Sequence, residues 1–134
     1  MHRPAAIVVD LDGTLALLGD RDPFDASTCE RDHVNTVVRE IIGHYEHVVI
    51  CSGREDRWRR ETERWLTMHG IRYQLLLMRR SKDYRKDAVV KHEMYVQAIE
   101  PRFRVRFVLD DRNQVVDMWR SIGLTCLQVA PGDF

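Results

Sequence analysis

The chain has 134 residues, and its 21 Lys and Arg offset 21 Asp and Glu, so the formal net charge is zero. That length fits a single domain, 1–134, with a core that needs no staples, and the balance argues against global attraction to polyanions. No apolar run approaches the ~18 residues of a membrane span and no charged-then-apolar signal opens the chain, so a cytoplasmic protein making no membrane contact is expected. Cys29, Cys51 and Cys126 form neither a CxxC pair nor a zinc spacing, which predicts buried, reduced thiols.

Taken in order, residues 5–10 read as a buried strand through Ala5, Ala6, Ile7, Val8 and Val9. It delivers Asp10-Leu11-Asp12-Gly13-Thr14 onto a bend that Gly13 allows. Two carboxylates together beside a phosphate require a cation, so the motif implies metal-dependent phosphoryl chemistry. A calcium loop would need another Asp or Asn before the Gly and a Glu about six residues after it, and 14–19 supply none. Residues 15–30 read as loop, with Gly19 and Pro23. Val34, Val37, Val38, Ile41 and Ile42 repeat at helical spacing, and residues 47–51 are a second strand.

Asp56 is placed to cap a helix reaching about residue 69, with Trp58, Trp65 and Leu66 inward and Gly70 at its end. Residues 73–78 form a third strand. Asp87 is placed to cap the next helix, with Val90, Met94 and Ile99 inward and Pro101 past its end. Residues 105–110 form a fourth strand. Val115, Val116, Trp119 and Ile122 mark the last helix, and residues 125–129 the last strand. Strands alternating with helices imply an α/β fold: a doubly wound, mostly parallel five-stranded sheet with helices on both faces. Such sheets bind ligands beyond the carboxyl ends of their strands. Asp10, the run Cys51-Ser52-Gly53-Arg54 and the pair Asp110-Asp111 all fall at such ends, and Lys86 precedes a helix.

Asp10-Leu11-Asp12-Gly13-Thr14, Ser52, Lys86 and Asp110-Asp111 together resemble the four motifs of haloacid-dehalogenase-like (HAD-like) phosphohydrolases. The run from Val108 to Arg120, the segment from Gln128 to Phe134, Ser52-Gly53-Arg54-Glu55 and Arg85-Lys86-Asp87 narrow the likeness. They resemble the 3′-phosphatase domain of bacteriophage polynucleotide kinase-phosphatase, over nearly the whole chain. The kinase half of that enzyme and its GxxxxGK[ST] loop are missing here, and the stretch between Arg54 and Trp65 is shorter.

The resemblance implies these roles. Asp10 is the nucleophile that forms an aspartyl-phosphate, and Asp12 protonates the leaving hydroxyl and then activates water. Backbone N–H groups at Leu11 and Asp12, the Ser52 hydroxyl, Gly53 N–H, Arg54 and Lys86 hold phosphoryl oxygens. Thr14 orients Asp12, and Lys86 faces Asp10. Mg²⁺ is the cofactor, on Asp10, the carbonyl of Asp12 and Asp110, with Asp111 acting through water or on Lys86. Arg21 and Arg54 contact substrate.

Neither gap between motifs has room for a cap domain, so the site is expected to stay open to a polynucleotide end. Residues 54–86 carry eleven basic against five acidic side chains. Arg57, Arg59, Arg60, Arg79, Arg80 and Lys82 are candidates for a phosphate-binding rim. The expected reaction is Mg²⁺-dependent removal of 3′-phosphates from DNA or RNA 3′ ends, with 2′,3′-cyclic phosphates as a further substrate. A polynucleotide kinase domain or a ligase is the expected partner. The alternatives are an uncapped phosphatase for a small nucleotide or phosphoprotein, and a nonenzymatic nucleic-acid-end binding module.

Overall fold

β1 (Ala5–Val9) is apolar on both faces because it lies in the middle of a sheet covered on both sides. The computed structural model describes residues 2–134. After β1 the chain forms β2 (Ala16–Leu17), β3 (His33–Val34), α1 (Thr36–Ile42), β4 (Val48–Glu55), α2 (Arg59–Met68) and β5 (Leu75–Arg79). It continues through α3 (Asp87–Met94), a π-helical turn (Tyr95–Ile99), β6 (Arg104–Asp110), α4 (Asn113–Ser121) and β7 (Cys126–Gln128). Five strands make one sheet in the order β5-β4-β1-β6-β7, and every neighbouring pair is parallel.

Alternation along each strand separates two cores. Ile7, Val9, Val48, Ile50, Leu76 and Leu109 meet Val38 and Ile42 of α1 and Trp65 and Leu66 of α2. Ala6, Val8, Val49, Cys51 and Val108 meet Ile99 of the π-turn and Val115, Val116 and Trp119 of α4. The sheet is therefore doubly wound. Successive connections run one way from β1 to β5 and the other way from β6 to β7. Where they part, between β1 and β6, the carboxyl ends leave a crevice. Val9 pairs with Leu109, so Asp10 and Asp110 emerge side by side.

The chain departs from the expected elements in local ways. Residues 15–30 are not all loop, since β2 pairs antiparallel with β3 and Cys29–Arg31 make a 3-10 turn. Two-residue strands carry no alternation to read. The second strand runs on to Glu55, past the last apolar residue. Asp56 opens a 3-10 turn and does not cap α2; its carboxylate accepts from the backbone and hydroxyl of Ser81. Asp87 is the first residue of α3 rather than its cap, and pairs with Arg79 at 3.0 Å. Trp65 and Leu66 are buried as expected, Trp58 only partly, under the Arg57 guanidinium. All three cysteines are free and buried. Among the described residues no helix is long and apolar enough to cross a membrane.

Candidate active site

Beyond Val9 the backbone turns tightly. Thr14 and Ala16 N–H groups return to Leu11 O at 3.1 and 2.8 Å, and Gly13 takes φ +85°, a conformation that side chains with a Cβ rarely adopt. A Cβ there would fall 2.1 Å from Asp111 Oδ2, so Gly13 also lets the two acidic loops touch. Leu11 is buried, and among the described residues the N–H groups of Leu11 and Asp12 donate to no other backbone group.

Asp10, Asp110 and Asp111 are buried together, with oxygens from all three within 4.8 Å of one another. Lys91 Nζ reaches into them, 2.7 Å from Asp10 Oδ1 and 3.1 Å from Asp110 Oδ2. Thr14 Oγ1 donates to Asp10 Oδ2 at 3.0 Å and to Asp111 Oδ1 at 3.3 Å. Trp119 Nε1 donates to Asp110 Oδ2 at 3.2 Å, and Asp111 N–H to Asp110 Oδ1 at 2.8 Å. Burial, and then the neighbouring Asp110, push the Asp10 pKa well above the usual carboxylate range, against the pull of Lys91. Burial likewise raises Asp111. Burial alone would depress Lys91, but Asp10, Asp110 and Asp87 outweigh it and hold its pKa well above the ordinary lysine value. When all three carboxylates are ionised, the one ammonium leaves an excess of two negative charges. An oxygen-seeking divalent cation matches that donor set and that charge.

Asp12 lies in a second, charge-balanced cluster. Arg54 holds it through Nη2 at 2.7 Å and Nε at 3.1 Å, and Arg21 through Nη2 at 2.8 Å. Both guanidiniums are backed by Asp32, which takes Arg21 at 2.9 and 3.0 Å and Arg54 at 3.3 Å. Arg54 also donates to Thr62 Oγ1 at 3.0 Å, and Trp65 Nε1 to Asp32 O at 2.9 Å. Burial works against both arginines, yet their carboxylate partners hold each pKa above the ordinary value. Of the four charged side chains only that of Asp12 is substantially open, at 23% exposure. The clamp thus presents one carboxylate to a cleft of about 370 Å³, which Asp10, Arg54, Gly53, Asp110 and Asp111 also line.

Residues 4–134 match the family described as the polynucleotide kinase PNKP phosphatase domain. The chain belongs to that family. A protein of Autographa californica nuclear polyhedrosis virus, named as a putative bifunctional polynucleotide kinase/RNA ligase, is 32% identical over 126 residues. The match takes in 89% of this chain and 18% of the viral protein. Two solved structures, of a Pnkp1/Rnl/Hen1 complex and of the Pnkp1/Rnl/Hen1 RNA repair complex, superpose at TM-score 0.96 with 48% identity. Each match covers 98% of this chain, and 48% and 44% of the respective solved chains. The chain therefore spans less than half the length of each of these relatives.

Within this PNKP-type phosphatase domain, the structure brings Asp10, Asp12, Thr14, Arg54, Asp110 and Asp111 close together. Lys86 does not face Asp10. It holds the N-cap position of α3, exposed on the cleft wall, and Lys91 supplies the buried ammonium. One helical turn beyond Asp87, Lys91 lies on the face that α3 turns to the sheet, which Lys86 cannot share. Thr14 bonds Asp10 and Asp111 rather than orienting Asp12; the arginines do that. Ser52 is buried, and its Oγ accepts from Arg54 N–H at 3.0 Å, which shapes the turn while Gly53 and Arg54 line the cleft. Arg21 backs Asp12 and is not among the lining residues. Arg79, expected on a rim, is spent on Gly53 O, Asp83 O and Asp87. Asp32, Thr62 and Lys91 escaped the sequence reading, and Trp119 was read only as a core residue of the last helix. The i, i+4 spacing of Asp87 and Lys91 was the one available signal.

Proposed function

We propose that this domain is a Mg²⁺-dependent polynucleotide 3′-phosphatase, acting on DNA or RNA ends and leaving a 3′-OH for ligation. The observation that carries it is the pairing of two unlike acids in one cleft. Asp10 sits in an electron-rich cluster with a lysine, and Asp12 in a neutral arginine clamp. Family membership supports a phosphatase. The names of the relatives support nucleic-acid ends as substrate and a kinase or ligase as partner. 2′,3′-Cyclic phosphates belong to the same reading.

In this mechanism an Asp10 oxygen attacks phosphorus, and the P–O bond to the ribose 3′-oxygen breaks. Asp12 gives that oxygen its proton. Asp12 then takes a proton from water, which attacks phosphorus and releases inorganic phosphate and free Asp10. Leu11 and Asp12 N–H groups, Gly53 N–H and Lys91 stabilise the phosphoryl oxygens. Arg21 and Arg54 fix the Asp12 carboxylate for both proton transfers. Asp10, Asp110, Asp111 and the carbonyl of Asp12 would hold Mg²⁺, whose charge offsets the repulsion between a carboxylate and a phosphate dianion.

Phosphate release from matched DNA and RNA oligonucleotides bearing 3′- or 5′-phosphate, with and without Mg²⁺, tests the proposal. Release from 3′ ends alone, only with Mg²⁺ and not by Asp10→Asn, is expected. Undiminished turnover by Asp10→Asn would refute the mechanism, and equal release from 5′ ends the specificity.

A further inference from the structure

Large apolar side chains are usually kept out of water, yet three with the highest exposure in the described structure border one cleft. Tyr84 is 86% exposed, Phe24 81% and Phe134 65%, and all three line the opening that holds Asp10 and Asp12. They come from separate segments: the loop after β2, the loop between β5 and α3, and the stretch after β7. The Tyr84 loop is not slack. Arg79, anchored on Gly53 O at 2.9 Å and Asp87 at 3.0 Å, also binds Asp83 O at 2.9 Å and Arg85 O at 2.6 Å, the carbonyls on either side of Tyr84. Phe134 lies under the Arg112 guanidinium, 5.1 Å from the ring centroid. An exposed ring on a braced backbone gains nothing from water unless a planar ligand completes the contact. Phosphate offers no such face, whereas the nucleobase of the nucleotide that carries it does.

We infer that Tyr84, with Phe24 and Phe134, forms a stacking subsite for the nucleobase of the 3′-terminal nucleotide. Lys86, on the same wall and without an ion-pair partner among the described residues, takes the phosphate next along the strand. This rests on the 3′-phosphatase reading and deepens it. Aromatic stacking tolerates any base but needs the base splayed from its neighbours, so the preferred substrate is an unpaired end.

The test compares kcat/KM on two single strands with 3′-phosphate, one ending in a normal nucleotide and one in an abasic ribose. The wild type is expected to favour the base-bearing end. Tyr84→Ala lowers that preference roughly tenfold through KM, since stacking contributes about that factor per base or more, and Tyr84→Trp restores it. A blunt duplex with the same end reacts more slowly than the single strand. A wild type indifferent to the base overturns the inference, as does a preference that survives Tyr84→Ala. Absence of phosphate release from both strands would instead bring down the phosphatase reading, and the subsite with it.

Discussion

Lys91 sets its ammonium 2.7 Å from Asp10 Oδ1, with only 1% of its side chain exposed. A buried ammonium at that distance fixes the carboxylate and lies beside any phosphoryl group attached to it. Lys91→Ala is expected to lower kcat by ~10²-fold or more, the usual loss when a preorganised electrostatic contact is removed. Lys86→Ala should behave differently. It raises KM for an oligonucleotide, and the log–log salt slope falls by about 1, as for one lost phosphate contact. Steady-state kinetics over a salt series separates the two. A large kcat loss in Lys86→Ala with a mild one in Lys91→Ala would reverse the assignment.

Asp32 carries the Asp12 clamp without lining the cleft. It is buried, and it neutralises two guanidiniums whose side chains are 6% and 1% exposed. Asp32→Asn leaves a buried positive charge uncompensated and should destabilise the fold by about 3 kcal/mol in urea unfolding. Arg54→Lys should keep more stability but lose the two-pronged hold on Asp12, and so lose kcat more than KM. Wild-type kcat in Arg54→Lys would detach the clamp from proton transfer.

The sheet and its helices were readable because apolar side chains run unbroken through Ile7, Val8 and Val9 in the central strand β1 and recur at helical spacing, as Val115, Val116 and Trp119 do in α4. The acidic motifs were readable because they follow the apolar runs directly. The buried polar partners were not. Lys91 stands between Val90 and His92 and looks like a solvated helix charge; only the packing of α3 against the sheet turns it inward. Asp32 stands between Arg31 and His33, and the antiparallel pairing of β2 with β3 brings it to Arg21 and Arg54. Such contacts depend on which elements become neighbours, and no local pattern encodes that.

Gly13 and Gly19 offer a controlled comparison. Both have positive φ, +85° and +60°, so replacement by Ala strains either turn by about 1 kcal/mol. Only at Gly13 would the new methyl meet a carboxylate, Asp111 Oδ2 at 2.1 Å; at Gly19 nothing lies within 4 Å. Gly19→Ala should therefore cost stability alone. Gly13→Ala should also displace Asp111 and weaken divalent-ion binding, measured by calorimetry. Equal affinities in the two variants would show that the contact between the loops does not shape the carboxylate cluster.

Protons and a divalent cation should compete for the Asp10–Asp110–Asp111 cluster. Burial raises the Asp10 pKa, so between the ordinary carboxylate value and its own raised value the folded, metal-free protein binds more protons than the unfolded chain. Stability without metal therefore falls as pH rises through that window, the reverse of a salt-bridged surface aspartate. A bound cation replaces that proton, so its stabilisation should grow in the same direction. At a concentration of 100 Kd, Mg²⁺ should contribute about 2.7 kcal/mol, or a Tm gain on the order of 10 °C. At one fixed Mg²⁺ concentration the gain should be larger at about pH 8 than at about pH 5.5, because proton competition weakens the affinity in acid. Thermal melts with and without Mg²⁺ at the two pH values measure it, and Asp110→Asn should shrink the gain at both. A melting temperature indifferent to Mg²⁺, or a gain larger in acid, would mean that these three carboxylates do not hold the ion.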